Sequence, residues 1–389
     1  MRMAQSISRF LKSNAHARRV LLVLLGLAAL ISTIQGFRNA LAHSMDFQWS
    51  PSVLFWNGTN PYSHYLLGNA DGAIILTQVP NYLHALYILF WPFAAIDFES
   101  AKALWAATNI ALAIGSCLLV GRIFGLSKAQ LVLLVCVFLM STPLRNGIGN
   151  GQQNLLALFM ILSYWGYKNW LKGVSMSIAF TKYSFAPLFF IHALIRREPA
   201  VFLAVAILLI SAIAFGLWVG DMRPEMFVQP LLVAQNNVAP GAADLVSILR
   251  FDLGVSFILA ALASIAAAAI ISWLVRDTDD AVTLVILSLS SLAFFQHLGY
   301  DYVFLLPALG FLLSNHSPRG VAWKVGLAAT VFYFFFFLKI NHEFVEIVGE
   351  SYVRPLGFML MVVSIYLLLR LRAATELKSS VDLPLELSE

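Results

Sequence analysis

A lone carboxylate, Asp46, sits in the stretch Ser44 to Tyr62 that follows the first long apolar run. Phe47, Trp49, Phe55 and Trp56 surround it in sequence, the kind of aromatics that gather at a bilayer interface. Asn60-Pro61-Tyr62 closes the stretch with a turn signal. A carboxylate there could take the proton of a hydroxyl at the outer mouth of a membrane enzyme, or it could cap the helix that follows. Charged and polar residues that the hydropathy pattern assigns to the same side are Asp71, Arg145, Asn150, Gln152, Lys182, Arg223, Arg250, His297 and Asp301. One or two acids among several cations, against an apolar wall, suit a substrate carrying a phosphate at the interface. Arginine binds phosphate oxygens through a planar fork and lysine as a point charge. The chemistry this implies is group transfer from a lipid phosphate to an alcohol.

The elements that must position these residues are membrane helices. The chain has 389 residues, 60% hydrophobic and only 12% charged, against about 45–50% apolar and about 25% charged in a soluble domain. An all-α polytopic membrane protein is expected. The net charge of +5 falls in short loops beside apolar runs, so topology explains it and nucleic-acid binding does not. Arg2, Arg9, Lys12, Arg18 and Arg19 precede the apolar run Val20 to Ile34, which places the start of the first helix in the cytoplasm and Asp46 outside. Ala40-Leu41-Ala42 resembles a signal-peptidase site, but Gln35 to Asn39 separates it from the apolar run, so an uncleaved helix is expected. A long outer segment, 36–99, then holds an apolar piece, Tyr82 to Ile96, that is short for a span and reads as lying in or dipping into the interface. Gly173 to Ile195 has cations at both ends and Thr181-Lys182-Tyr183-Ser184 in its middle. Two short helices meeting at a break, with Lys182 at the turn, are expected there. Counting that pair, about twelve membrane helices form one domain over residues 1–372, with the His297–Tyr302 turn outside and both termini cytoplasmic. Pro143–Gln153 and the segment with Glu343, Glu346 and Glu350 read as outer loops. The tail 373–389 reads as polar and cytoplasmic. Cys117 and Cys136 lie in apolar segments and read as small buried hydrophobes; no cysteine metal site or disulfide framework is on offer.

Each residue keeps a plainer alternative. Lys182 could snorkel to the surface, His297 could be a satisfied interfacial histidine, and Asp301 could cap its own helix. Gly147 to Gln153 could be only a flexible turn. A secondary transporter or lipid flippase is the rival class, since a broken helix pair with a buried charge also marks transporter sites. No repeat relates the two halves, however, and the long outer segment is unlike a gate. No cofactor is expected, and no metal-ligand cluster is visible, although a divalent ion stays open.

Five motifs taken in order resemble a known family. They are Asp46, Gly58-Thr59-Asn60-Pro61-Tyr62, the loop Gly149–Asn154, Lys182 in its helix pair, and His297–Tyr302. The chain resembles the GT-C membrane glycosyltransferases, most of all glycosyltransferase family 87, the polyprenol-phosphate-mannose-dependent α-mannosyltransferases. It departs from the family pattern at Lys182-Tyr183, where Lys-Pro is frequent, and at Val79-Pro80-Asn81, where Tyr-Pro-Pro is common. The resemblance implies a polyprenyl-phosphate sugar donor, a lipid or glycan acceptor, and transfer with inversion at the outer face of a bacterial inner membrane. Asp46 would be the general base and His297 a second catalytic group. Lys182, Arg145 and Arg250 would hold the donor phosphate. Asn60, Tyr62, Asn150, Gln152, Gln153, Tyr300 and Asp301 would contact substrate.

Overall fold

The computed structural model describes residues 15–69, 72–75, 78–168, 170–219, 228–236, 243–314, 321–336 and 350–381. Asp71, Arg223, Glu343 and Glu346 lie outside the described residues, as does the start of the basic N-terminal segment. Among the described residues every regular element is helical. A helix satisfies its backbone within one segment, as an apolar surrounding requires.

The first helix, α1 (Ala15–Ala42), leads to α2 (Trp49–Trp56) and α3 (Pro61–Leu66), and then to α4 (His84–Leu89) and α5 (Trp91–Ala94). The Tyr82–Ile96 piece is thus two short helices with a bend at Phe90. At about 1.5 Å rise per residue, neither is long enough to cross a membrane. Next come α6 (Phe98–Ile123), α7 (Lys128–Met140), α8 (Thr142–Gly149) and α9 (Asn154–Gly166). The broken pair is α10 (Trp170–Ala179) and α11 (Ala186–Ile195), with Lys182 in the turn between them. The chain goes on through α12 (Pro199–Val219), α13 (Gln229–Asn236), the single turn α14 (Leu245–Ser247) and a π turn, Ile248–Asp252. The last part is α15 (Phe257–Leu274), α16 (Asp280–Phe294), a 3₁₀ turn (Gly299–Leu305), α17 (Leu306–Leu313), α18 (Ala322–Phe336) and α19 (Glu350–Val381).

Helix starts follow local chemistry. Asp97, Ser127, Ser256 and Asp279 cap α6, α7, α15 and α16 with their side chains, each meeting a backbone N–H that has no intrahelical partner. Ser127 and Gln130 form a reciprocal capping box. Helix α10 lies close against α12 at Gly173, where a Cβ would fall 2.7 Å from the Ala200 carbonyl oxygen; small residues let helix backbones approach this closely.

Two expectations are corrected. Pro143–Gln153 is not a plain loop: α8 fills most of it and turns 58° from α7 at Ser141. Pro143 starts α8 at a position where its missing N–H costs nothing. The final helix also runs further than expected, from Glu350 to Val381, and takes in the beginning of the polar tail. Among the described residues, four helices are long and apolar enough to span a membrane, or five if the bent α7–α8 pair is one span. Six further apolar helices are shorter, so the expected count of about twelve rests on those shorter ones.

Candidate active site

Asp46 follows directly on α1, and the Gly147–Gln153 segment grips its backbone. Its N–H donates to the Asn150 carbonyl at 2.9 Å. Its own carbonyl accepts from Gln153 Nε2 at 3.4 Å and from Gln48 Nε2 at 3.4 Å. Gly151 makes this approach possible. Its φ is +72°, and a Cβ there would sit 2.7 Å from the Phe47 Cβ. The Trp105 indole N–H donates to the Gly151 carbonyl at 2.8 Å, and the Trp105 ring stacks on Phe47 at 6.0 Å. The glycine-rich segment is therefore a backbone clamp on Asp46 rather than a loose turn.

The Asp46 side chain is half-buried and its carboxyl accepts a hydrogen bond from Gln152. Burial pushes that carboxyl up to about 6, against the Gln152 hydrogen bond and the Lys182 charge, which lower it; the Asp301 charge adds to the rise. Asp46, Lys182 and Asp301 thus share one electrostatic neighbourhood.

Lys182 and Asp301 meet there as a buried ion pair. Lys182 Nζ lies 3.2 Å from Asp301 Oδ1, and the two residues are 5% and 3% exposed. Asp301 Oδ2 also accepts from the Leu298 N–H at 3.1 Å. The ammonium stands 5.7 Å from the ring centres of both Tyr82 and Tyr300. A buried lysine needs partners of this kind to stay charged, so Lys182 does not snorkel away from the protein. Asn154 Nδ2 donates to the Tyr300 carbonyl at 2.6 Å, which ties the glycine-rich segment to the 3₁₀ turn. Two stretches far apart in sequence are joined at the ion pair.

A cavity of about 540 Å³ opens beside this pair. Its polar lining comes from Lys182, Asp301, His297, Gln296, Asn81 and Tyr300. Much of its apolar lining comes from Leu231 and Ala234 of α13 and from Phe257, Ile258, Ala261, Leu262 and Ile265 of α15. Ile258, Leu262 and Ile265 are themselves exposed on α15, so part of the apolar lining belongs to the helical surface. Asp46 does not line the cavity. It connects to it through Gln152, which accepts from the hydroxyl of the lining Tyr82 at 3.4 Å.

The remaining expected residues are placed elsewhere. Asn60 caps α3, accepting from the N–H groups of Tyr62 and Ser63, and its amide donates to Gln229 Oε1 at 2.8 Å. Tyr62 is fully buried and donates to the Tyr82 carbonyl at 2.6 Å. Both hold the segment after α1 together, and neither lines the cavity. Arg145 lies on α8, whose backbone there packs on Gly36 of α1, also away from the cavity lining. Arg250 sits in the π turn, its guanidinium 5.5 Å from the ring centre of Phe257, which does line the cavity.

Asp244 was not singled out from the sequence. It is fully buried, with Oδ1 accepting from the Ser247 N–H at 2.7 Å and Oδ2 from the Ser247 hydroxyl at 2.8 Å. Its Oδ2 lies 3.8 Å from His297 Nδ1. Burial raises the Asp244 carboxyl, while the His297 ring and the bonds from Ser247 and from the His297 backbone pull it down. Its one sequence signal was Asp three residues before Ser, a helix-start pattern that says nothing about His297. Among the described residues no three of His, Cys, Asp or Glu come together to hold a metal ion.

Comparison with known proteins agrees with this architecture. The model of glycosyltransferase family 87 matches residues 85–296, a span that includes the glycine-rich clamp, Lys182 and Asp244 and ends next to His297. No curated protein and no solved structure matches. The chain belongs to glycosyltransferase family 87 and is a membrane glycosyltransferase of the GT-C type.

Proposed function

We propose that the chain transfers a sugar, mannose in the first instance, from a polyprenyl-phosphate donor to a hydroxyl of a lipid-linked or glycan acceptor. The transfer inverts the anomeric carbon and takes place on the outer side of a bacterial inner membrane. The observation that carries this reading is the mixed lining of the cavity: Lys182 and hydrogen-bonding groups share it with apolar residues of α13 and α15. A ligand that fits it is anionic at the head and hydrocarbon at the tail.

In the proposed reaction the acceptor oxygen attacks the anomeric carbon and the bond from that carbon to the phosphate oxygen breaks. The acceptor proton passes to Asp46, and the leaving electron pair stays on the lipid phosphate. A positioned base typically contributes ~10²–10⁴-fold, and the logic parallels the base of an inverting glycosidase with an alcohol in place of water. Lys182 and His297, which line the cavity together, receive the phosphate charge in a water-poor site. Asp301 holds Lys182 in place. Arg145 and Arg250 do not line the cavity, and Arg250 packs against its Phe257 wall. The Asp46 carboxyl is linked to the cavity through Gln152 and the Tyr82 hydroxyl. A transporter would need no base, and membership of a glycosyltransferase family favours the enzyme.

The test offers the purified protein, in lipid nanodiscs, two labelled mannose donors: a polyprenyl-phosphate mannose and a nucleotide mannose. Transfer from the lipid donor alone is expected. Transfer from the nucleotide sugar in the absence of any lipid donor would overturn the reading.

A further inference from the structure

Asp244 has no role in the proposed chemistry, yet its Oδ2 lies 3.8 Å from the ring of one of its residues, His297. His297 Nδ1 lies 3.1 Å from the Phe295 carbonyl oxygen. A carbonyl only accepts, so Nδ1 carries a hydrogen and that edge of the ring is committed to Phe295 and Asp244. The opposite nitrogen, Nε2, is buried and has no hydrogen-bond partner, while the residue lines the cavity and is 2% exposed. An unpaired buried nitrogen is costly and is what a ring kept for a ligand would show. The ring is fixed on its faces and edges as well. Tyr302 meets it edge-on at 4.9 Å and Phe185 at 6.5 Å, and Tyr302 in turn stacks on Phe334 at 4.0 Å. The other charged groups of that cavity wall, Lys182 and Asp301, are paired with each other. Asp244 is thus the charge that faces the imidazole.

We propose that Asp244 is a positioning residue for the phosphate-bearing ligand: together with the Phe295 carbonyl it fixes the His297 ring with Nε2 turned to the cavity. With Nδ1 already carrying hydrogen, a neutral ring offers a bare lone pair at Nε2, which repels a phosphate oxygen. A protonated ring offers Nε2–H, which binds it. Asp244 Oδ2 stands 3.8 Å from Nδ1, on the edge of the ring opposite Nε2. Both Asp244 oxygens accept from Ser247, which fixes the carboxyl in place. The inference rests on the proposed donor chemistry, since it assigns a phosphate to this cavity.

The experiment measures binding of undecaprenyl phosphate to the full chain in nanodiscs, for the wild type, Asp244→Asn, His297→Gln, the double variant and Ser247→Ala. Orienting partners of this sort typically matter ~10–100-fold, so Asp244→Asn should weaken binding by about that factor. In the His297→Gln background the same change should cost less than ~3-fold, because a residue acting through another is not additive with it. Equal losses in both backgrounds, or no loss in the wild-type background, would overturn the proposal. Ser247→Ala keeps the carboxylate and loosens the turn it caps; a loss as large as that of Asp244→Asn would assign the effect to the turn and overturn the proposal too. Sugar transfer is followed in parallel. Coupled binding without transfer would sink the proposed reaction and leave the Asp244–His297 unit standing. Transfer with Asp244→Asn binding like the wild type would do the reverse.

Discussion

Asp46 has to be ionised to accept a proton, yet it sits where burial disfavours its charge. The compromise is a carboxyl raised to about 6 and held from going higher by Gln152 and Lys182. Activity should therefore rise with pH through about 6 and level off above it, which a kcat-against-pH profile would show. Removing the Lys182 charge in Lys182→Met should move that limb to higher pH, besides weakening donor binding through the lost cation. The same residue has a stability consequence. Its folded-state value lies above the ordinary 3.8, so its contribution to stability is full below about 3.8 and is lost as pH rises through about 6. At neutral pH the charged carboxylate costs the fold roughly 1–3 kcal/mol, and Asp46→Asn should raise Tm while removing activity. Asp46, Lys182 and His297 were legible in the sequence because ionisable residues stand out in or beside apolar runs. Asp244 was not, because it lies in a stretch between two long apolar runs that reads as a connecting loop, and only the fold brings it to His297.

Helices and turns decide whether those side chains meet. The break between α10 and α11 could be read from sequence, since cations at both ends of a single-span length require a return. The α7–α8 bend could not. Pro143, Gly147 and Gly149 look like breakers, but the proline occupies the first turn of α8 and the glycines sit where that helix packs against α1 and Asn154. The bend then aims Gly151 at Asp46. Gly151→Ala should be destabilising by ~1–3 kcal/mol, the usual scale for a strained backbone position, with the clash against Phe47 added. A thermal melt in detergent measures the first effect. The second should appear as a loss of transfer of ~10²-fold, the order expected for a misplaced catalytic group. Full activity in that variant would mean that the clamp on Asp46 is not needed.

At the scale of the molecule, charged and polar residues share one cavity with apolar residues exposed on the outside of α15, which suits the proposed carrier lipid. The orientation is tested by cysteine labelling in intact cells: His43→Cys, exposed at the end of α1, should react with an impermeant reagent from outside, and Lys128→Cys, exposed at the start of α7, only after permeabilisation. The reverse pattern would put the site on the cytoplasmic side. Composition made the membrane class plain, whereas the helix number was harder, because short and broken helices around a site do not keep to the length of a full span. The central claim is that Asp46 takes the acceptor proton while the cavity holds the lipid phosphate. It is tested most directly by comparing wild type and Asp46→Asn for mannose transfer from polyprenyl-phosphate mannose and for affinity to that donor. A loss of transfer of at least ~10²-fold with donor affinity unchanged is the predicted result; near-normal turnover in Asp46→Asn would contradict the account.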